Sequence, residues 1–128
     1  MTRLNAKPFL AAAAILVWTA ADPAWADPTS VRAAFGNTVV STYPDGRTGL
    51  LWMKSDGTYT AVGRRRTPSS GTWSVKGDKV CLKQKKPRVA PISYCTKFPN
   101  GGVGASWAGR AVTGEKINIK LVRGVVAP

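Results

Sequence analysis

Histidine is absent from this chain, and cysteine and acidic residues are scarce. The 128 residues include no His, two Cys and six Asp or Glu. Without His, the commonest general base and metal ligand are missing. Two thiolates are too few for a cysteine-only zinc site or an iron–sulfur cluster. The composition therefore excludes His-based catalytic triads, zinc sites that use His and haem ligated by His, and we expect neither a cofactor nor a metal site.

The few carboxylates also argue against an enzyme. After residue 26 they are Asp27, Asp45, Asp56, Asp78 and Glu115. All except Asp27 lie in turn motifs, where Asp and its neighbours stabilise the turn itself. Asp45 and Glu115 are the one pair expected at the same end of the fold, as a glycoside hydrolase would require of its two carboxylates. Turn chemistry explains both residues, so we predict no enzymatic activity and no catalytic residue.

A single apolar run stands out, and it lies near the N-terminus. The run extends from Phe9 to Ala21 and is shorter than the roughly 20 residues of a membrane-spanning helix. Arg3 and Lys7 form a basic region in front of it. Ala24-Trp25-Ala26 then supplies the small-x-small pattern that signal peptidase recognises. Residues 1–26 are predicted to be a signal peptide cleaved near Ala26, with an uncleaved anchor as the alternative. The mature chain is expected to have no transmembrane segment and to be periplasmic or secreted.

Export would place the two cysteines in an oxidising compartment. An even pair of cysteines there indicates a disulfide, so we predict a Cys81–Cys95 bond. In the chain-entropy account, closing a loop of about 15 residues stabilises a fold by about 3 kcal/mol. A reactive dithiol is the alternative, but the spacing does not match a Cys-x-x-Cys motif.

Turn residues recur about every ten positions and divide the rest of the chain into short strands. The segments between them are rich in β-branched and aromatic residues, which is typical of strands. We predict an all-β fold, a small up-and-down antiparallel β-barrel of about eight strands with one disulfide, over residues 37–128. A short N-terminal segment, residues 27–36, precedes it and can form a helical turn or two. The predicted strands are residues 37–43, 47–53, 58–64, 71–75, 79–84, 92–98, 103–112 and 116–123.

Alternation along the strands predicts which side chains face the interior. Val80 and Leu82 share one face, whereas Cys81 lies with the neighbouring lysines on the other. The disulfide is therefore expected on the outside of the barrel. An eight-stranded barrel has an interior just large enough for side chains or for one small ligand. The aromatic residues that either fill this interior or line a ligand pocket are Tyr59, Trp73, Tyr94 and Trp107.

Positive charge is concentrated in two loops. The chain has 19 Lys and Arg and a formal net charge of +13. The third and fifth connections of an up-and-down barrel lie at the same end, so the two basic loops should form one rim. Clustered cations attract anions, and Arg binds carboxylates and phosphates in a forked geometry. The predicted anion- or partner-binding residues are Arg64, Arg65, Arg66, Lys85, Lys86 and Arg88.

Three short segments carry a resemblance to a known class of barrels. They are Ser55 to Tyr59 (SDGTY), Ser70 to Val75 (SGTWSV) and Val80 to Leu82 (VCL). Together they resemble small secreted bacterial β-barrel proteins of the lipocalin-like or calycin-like type. The resemblance implies a barrel that binds a small hydrophobic molecule in its interior.

A later segment is similar to a hairpin of the avidin barrels. It consists of Ala105 to Gly109 (ASWAG) followed by Ile117 to Ile119 (INI). In avidins a Trp at the place of Trp107 contacts biotin. The polar residues that avidins direct at the ureido ring have no counterpart here, so the similarity implies the eight-stranded barrel rather than biotin binding.

Two hypotheses about function follow. The first is a non-enzymatic exported module whose basic rim engages an anionic envelope surface, an acidic polymer or an acidic protein. The alternative is lipocalin-like binding of a small ligand in the barrel interior. A further alternative is that the cations of the two loops are solvated and bind no partner. Nucleic acid is not expected as a partner, because the aromatic residues share a face with the core instead of forming a stacking platform beside a basic groove.

Overall fold

The structure is a computed structural model that describes residues 28–88 and 93–128. The predicted signal peptide and residues 89–92 of the second basic loop lie outside the described residues. A short helix, α1 (Pro28–Arg32), precedes the strands. No helix within the described ranges is long and apolar enough to cross a membrane. The strands are β1 (Thr38–Thr42), β2 (Thr48–Met53), β3 (Thr58–Val62), β4 (Pro68–Lys76), β5 (Lys79–Lys86), β6 (Ser93–Lys97), β7 (Ser106–Arg110) and β8 (Lys116–Val122).

The strands form one antiparallel sheet that curls into a nearly closed barrel. Their order is β6-β5-β4-β3-β2-β1-β8-β7, so strands that are consecutive in the chain are paired, with the exception of β6 and β7. The first and last strands pair with each other and close the sheet on that side. The predicted fold, an all-β antiparallel barrel of eight strands, is confirmed.

Side chains span the gap between β6 and β7, which we call the seam. The Tyr94 hydroxyl donates a hydrogen bond to the carbonyl oxygen of Arg110 across it. The ring centroids of Phe98 and Trp107 lie 5.3 Å apart, with the planes tilted by 60°. Such tilted aromatic contacts are favourable beyond the area they bury. The seam is therefore held by a hydrogen bond and an aromatic pair where the other neighbouring strands have a backbone ladder.

Helix α1 and the turn after it cover one end of the barrel, the covered end. Val31 and Ala34 are fully buried in the core. The ring of Phe35 lies 5.7 Å from that of Trp73. The Trp73 indole in turn donates a 2.8 Å hydrogen bond to the carbonyl of Lys54, in the β2–β3 connection. The N-terminal segment thus serves as a floor for the barrel.

The predicted disulfide is present. Cys81 and Cys95 are directly opposed in the β5–β6 ladder and are bonded to each other. Val80 and Leu82, on either side of Cys81, belong to the hydrophobic core. Because side chains alternate along a strand, the disulfide lies on the outer face, as the sequence pattern predicts.

The strand bounds differ from the sequence prediction by up to three residues, and the largest differences are the starts of β4 and β7. Strand β4 begins at Pro68, opposite Val62, rather than at residue 71. Proline is accepted at the first residue of a strand, where its missing amide donor costs no ladder hydrogen bond. Strand β7 begins at Ser106 rather than at residue 103, because Gly102 and Gly104 adopt φ angles of 66° and 97° that extended strands do not use.

Candidate functional site

A cavity of about 560 Å³ occupies the barrel interior. All eight strands contribute to its wall, which is mainly aliphatic and aromatic. Small-molecule sites in proteins have volumes of about 300–1,000 Å³ and walls of this character. The interior of this barrel is therefore large enough to hold a small ligand.

The cavity reaches the surface at the end opposite α1, which we call the mouth. The mouth is formed by residues 43–47, 63–67 and 111–115 and by the described part of the β5–β6 connection, residues 87–88. Gly63 and Val112 lie in these connections and line the cavity, and Val112 is 72% exposed. A ligand would thus enter at the mouth, since the helix covers the other end.

The lining changes from apolar to polar along the barrel axis. Met53, Val80 and Phe98 line the cavity near the covered end, and all three are buried. Near the mouth the lining includes residues with hydroxyl or amide groups: Ser41, Tyr43, Ser69, Gln84 and Ser93. The site therefore offers hydrogen-bonding groups near its opening and an apolar surface below them.

Three of the aromatic residues placed in the interior from the sequence line this cavity: Tyr59, Tyr94 and Trp107. Burial raises the pKa of Tyr59 and of Tyr94 above the ordinary value of 10.0, so both hydroxyls are neutral at physiological pH. Trp73 packs against the core but does not line the cavity, because it lies at the covered end against Phe35. The alternation of side chains along a strand assigns Trp73 to the inner face of the sheet, but it does not determine which residues the side chain contacts.

A β-bulge in the β4–β5 ladder shapes the mouth. Ser70 pairs with Lys86 and Gly71 with Gln84, which leaves Lys85 as the extra residue. Gln84 therefore lines the cavity, while Lys86 shares the outer face with Ser70. Strict alternation from Gln84 would have placed Lys86 inside, so the bulge keeps this lysine out of the barrel.

Arg64 is held at the mouth by residues from two other connections. Its guanidinium lies 3.0 Å from Glu115 Oε2 and 3.7 Å from Asp45 Oδ2. Its Cζ lies 4.4 Å from the ring centroid of Tyr43, a cation–π arrangement. Tyr43 in turn lines the cavity. The sequence pattern places Arg64 in the basic rim but does not identify these partners. Tyr43, Asp45 and Glu115 lie far from Arg64 in the chain, and only the closed barrel brings them together.

The other predicted rim cations are exposed. None of them lies within salt-bridge distance of an acidic group in the described part of the chain. Arg66 has a φ of 64°, and its amide donates a 2.8 Å hydrogen bond to the Gly63 carbonyl, which closes a tight turn. The mouth therefore carries an excess of positive charge. The exposed cations are Arg65, Arg66, Lys85, Lys86 and Arg88.

The contribution of Glu115 to stability is expected to disappear in acid. A hydrogen bond from the Thr113 hydroxyl and the Arg64 guanidinium hold the pKa of Glu115 below its ordinary value of 4.5. A carboxyl whose pKa is lowered by folding stabilises the fold above its unfolded-state pKa and loses this effect as the pH falls through the folded-state pKa. Melting temperatures measured from neutral to acid pH should therefore fall less steeply below pH 4.5 for Glu115→Gln than for the wild type.

A second acidic residue, Asp56, is expected to contribute to the acid side of the profile independently of Glu115. The pKa of Asp56, at the covered end, is lowered by hydrogen bonds from the side chain and backbone of Thr58. Asp56→Asn should flatten the acid side of the profile independently, so the double variant should show the sum of both changes. Parallel profiles for the wild type and Glu115→Gln would contradict the prediction.

Comparisons of the chain with protein families, with curated proteins and with solved structures gave no significant match. The cavity and its mouth are therefore the features of this chain that point to a function.

Proposed function

We propose that this protein is a non-catalytic binding protein that holds a small, largely apolar molecule inside its barrel. The observation that carries the proposal is the cavity of about 560 Å³ beneath the basic mouth. Protein interiors are close-packed, with few voids larger than a water molecule. A space of this size, lined by every strand and open at one end, supports binding of a ligand.

The wall favours an apolar occupant. Leu82, Phe98 and Ile119 line the cavity together with tyrosine and tryptophan rings. Each Å² of apolar surface that a ligand removes from water contributes about 25 cal/mol. The export predicted from residues 1–26 would place this binding outside the cytoplasm, where the disulfide is stable.

Binding of a neutral apolar dye tests the proposal. Nile red should bind the wild-type protein with enhanced fluorescence, and Ala61→Phe should weaken this binding at least about tenfold, because Ala61 lines the cavity and a phenyl ring would occupy it. Ala108→Phe is the matched control, since Ala108 is exposed on β7. Native mass spectrometry of protein purified from its own host should show a bound molecule that Ala61→Phe lacks. Equal dye binding by both variants, with no bound molecule in either, would refute the proposal.

Engagement of an anionic surface by the rim is a second candidate, supported by the exposed cations without acidic partners described above. Vesicles containing phosphatidylglycerol should then bind the protein at low ionic strength. Binding should weaken at physiological salt, where the Debye length falls from about 30 Å at 0.01 M to about 8 Å at 0.15 M. Neutral phosphatidylcholine vesicles should not bind.

Two charge-matched variants locate this binding. Replacing Arg65, Arg66, Lys85 and Lys86 by Gln should abolish binding to the anionic vesicles. The control replaces an equal number of cations near the covered end, Lys54, Lys76, Lys79 and Arg123, and should retain most of the binding. Equal losses in the two variants would show that only net charge matters and would remove the rim from consideration.

A further inference from the structure

We infer that the molecule held in the barrel is an amphiphilic carboxylic acid, with its apolar body in the cavity and its carboxylate at the mouth beside Arg64. The inference rests on the proposed function and adds the charge and the orientation of the ligand. It is carried by the polarity of the wall, by the sign of the charge at the mouth and by the contacts of Arg64.

The wall matches a molecule that is polar at one end. From Val80 to Gln84 the cavity follows β5, and at about 3.3 Å per residue this stretch of strand is about 13 Å long, comparable to a medium alkyl chain. Val80 and Leu82 are aliphatic, whereas Gln84 brings an amide to the wall close to the mouth. The Gln84 amide nitrogen already donates a 2.9 Å hydrogen bond to the carbonyl of Pro87. Ser69 adds a hydroxyl closer to the mouth, two residues along β4 from Gly71, which is opposite Gln84.

The positive charge at the mouth favours a negatively charged polar group on the ligand. Asp45 and Glu115 are the acidic residues in the described connections there, and both are engaged with Arg64. The exposed cations of the two basic loops have no such partners. A carboxylate placed at the mouth would experience an attractive potential and would also keep part of its hydration, so it would avoid the cost of burying a charge.

Arg64 is positioned to receive this carboxylate. The contact with Glu115 is a close ion pair with a hydrogen bond of 3.1 Å from Nη2. Asp45, at 3.7 Å, lies beyond hydrogen-bonding distance from the guanidinium. A guanidinium has five N–H donors in a fixed fork, so Arg64 retains donors for another oxygen. Its contact with Tyr43, a cavity-lining residue, holds it next to the opening.

Three probes distinguish the contribution of the carboxylate to binding from that of the apolar body: decanoate, decanol and acetate. Isothermal titration with the exported form of the wild-type protein should give decanoate an affinity at least about tenfold above that of decanol, as expected for a close charge pair. Acetate, which has the charge without the apolar body, should not bind measurably. Both ten-carbon compounds should displace Nile red.

Variants at the mouth should change the two affinities differently. Arg64→Gln should weaken decanoate about tenfold and leave decanol unchanged. Asp45→Asn should strengthen decanoate, because it removes a competing carboxylate and its amide oxygen can still accept the 2.9 Å hydrogen bond from the Arg47 amide. This second variant keeps the test decisive if Arg64→Gln fails to fold. Lys79→Gln, the same charge change near the covered end, should alter neither affinity by more than about twofold.

The outcomes distinguish this inference from the proposed function. Equal affinities for decanoate and decanol would overturn the inference and leave apolar binding in place. Acetate binding as tight as decanoate would also overturn it, since the apolar body would then contribute nothing. Equal effects of Arg64→Gln and Lys79→Gln would remove Arg64 as the receiving group. Failure of both ten-carbon compounds and of Nile red to bind would overturn the proposed function itself.

Discussion

Gly71→Ala is expected to destabilise the barrel by roughly 2–4 kcal/mol. A β-carbon at this position would overlap the carbonyl oxygen of Lys83 and would lie 2.9 Å from Cα of Gln84. Both are backbone atoms of β5, so neither can move aside as the end of a flexible side chain would. Relief requires rebuilding the bulge that directs Gln84 into the cavity. Urea unfolding followed by tryptophan fluorescence measures the loss.

Gly63→Ala is the matched control. A β-carbon on Gly63 would have the Thr67 carbonyl oxygen, at 3.9 Å, as its nearest neighbour. The change in stability should therefore stay within about 0.5 kcal/mol. Equal unfolding midpoints for the two variants would contradict the close approach of β4 and β5 at Gly71.

Thr38→Val is expected to cost roughly 2–3 kcal/mol, although valine has nearly the shape of threonine. The Thr38 hydroxyl is completely buried and donates a 2.7 Å hydrogen bond to the carbonyl of Gly124. It also accepts hydrogen bonds from the Trp52 indole at 3.1 Å and from the Val126 amide at 2.9 Å. Valine would leave these partly buried groups without their partner, and an unsatisfied polar group shielded from water costs more than a hydrogen bond contributes.

Two further variants isolate this effect. Thr38→Ser retains the hydroxyl and loses one methyl group, so it should cost about 1 kcal/mol. A double-mutant cycle with Trp52→Phe should show that Thr38→Val costs less once the indole donor is absent. Amide exchange at Val126 should accelerate in Thr38→Val and remain slow in Thr38→Ser. Identical stability of the valine and serine variants would contradict the role of the hydroxyl.

Local signals were sufficient to predict most of the fold. Turn residues marked the ends of the strands, and alternation around Cys81 placed the disulfide on the outer face. The bulge at Ser70 and Gly71 has no comparable signature, because it depends on how closely two backbones approach. The sequence pattern predicts that a strand starts at Gly71, whereas Gly71 lies within β4. The seam between β6 and β7 likewise depends on the closure of the whole sheet.

The candidate site was less accessible to sequence analysis. Chain topology predicts that alternate connections share one end, and the contacts of Arg64 with Asp45 and Glu115 place three of them together. Nothing local distinguishes the paired Arg64 from the exposed Arg65 and Arg66, because the partners are remote in the chain. Whether the aromatic residues fill the interior or line a cavity depends on the summed volume of side chains from eight strands. The pattern of residues left both alternatives open.

The ladder between β1 and β8 joins the two ends of the domain, with Thr38 opposite Val122. The other ladders connect strands that are consecutive in the chain, so their short loops can close early in folding. Closing the longest loop loses the most chain entropy before its contacts form, and such contacts slow folding. A chain that emerges N-terminus first can assemble the β1–β6 meander but cannot complete the ring until its last strand arrives. The cavity inside the barrel is then the final part of the molecule to form.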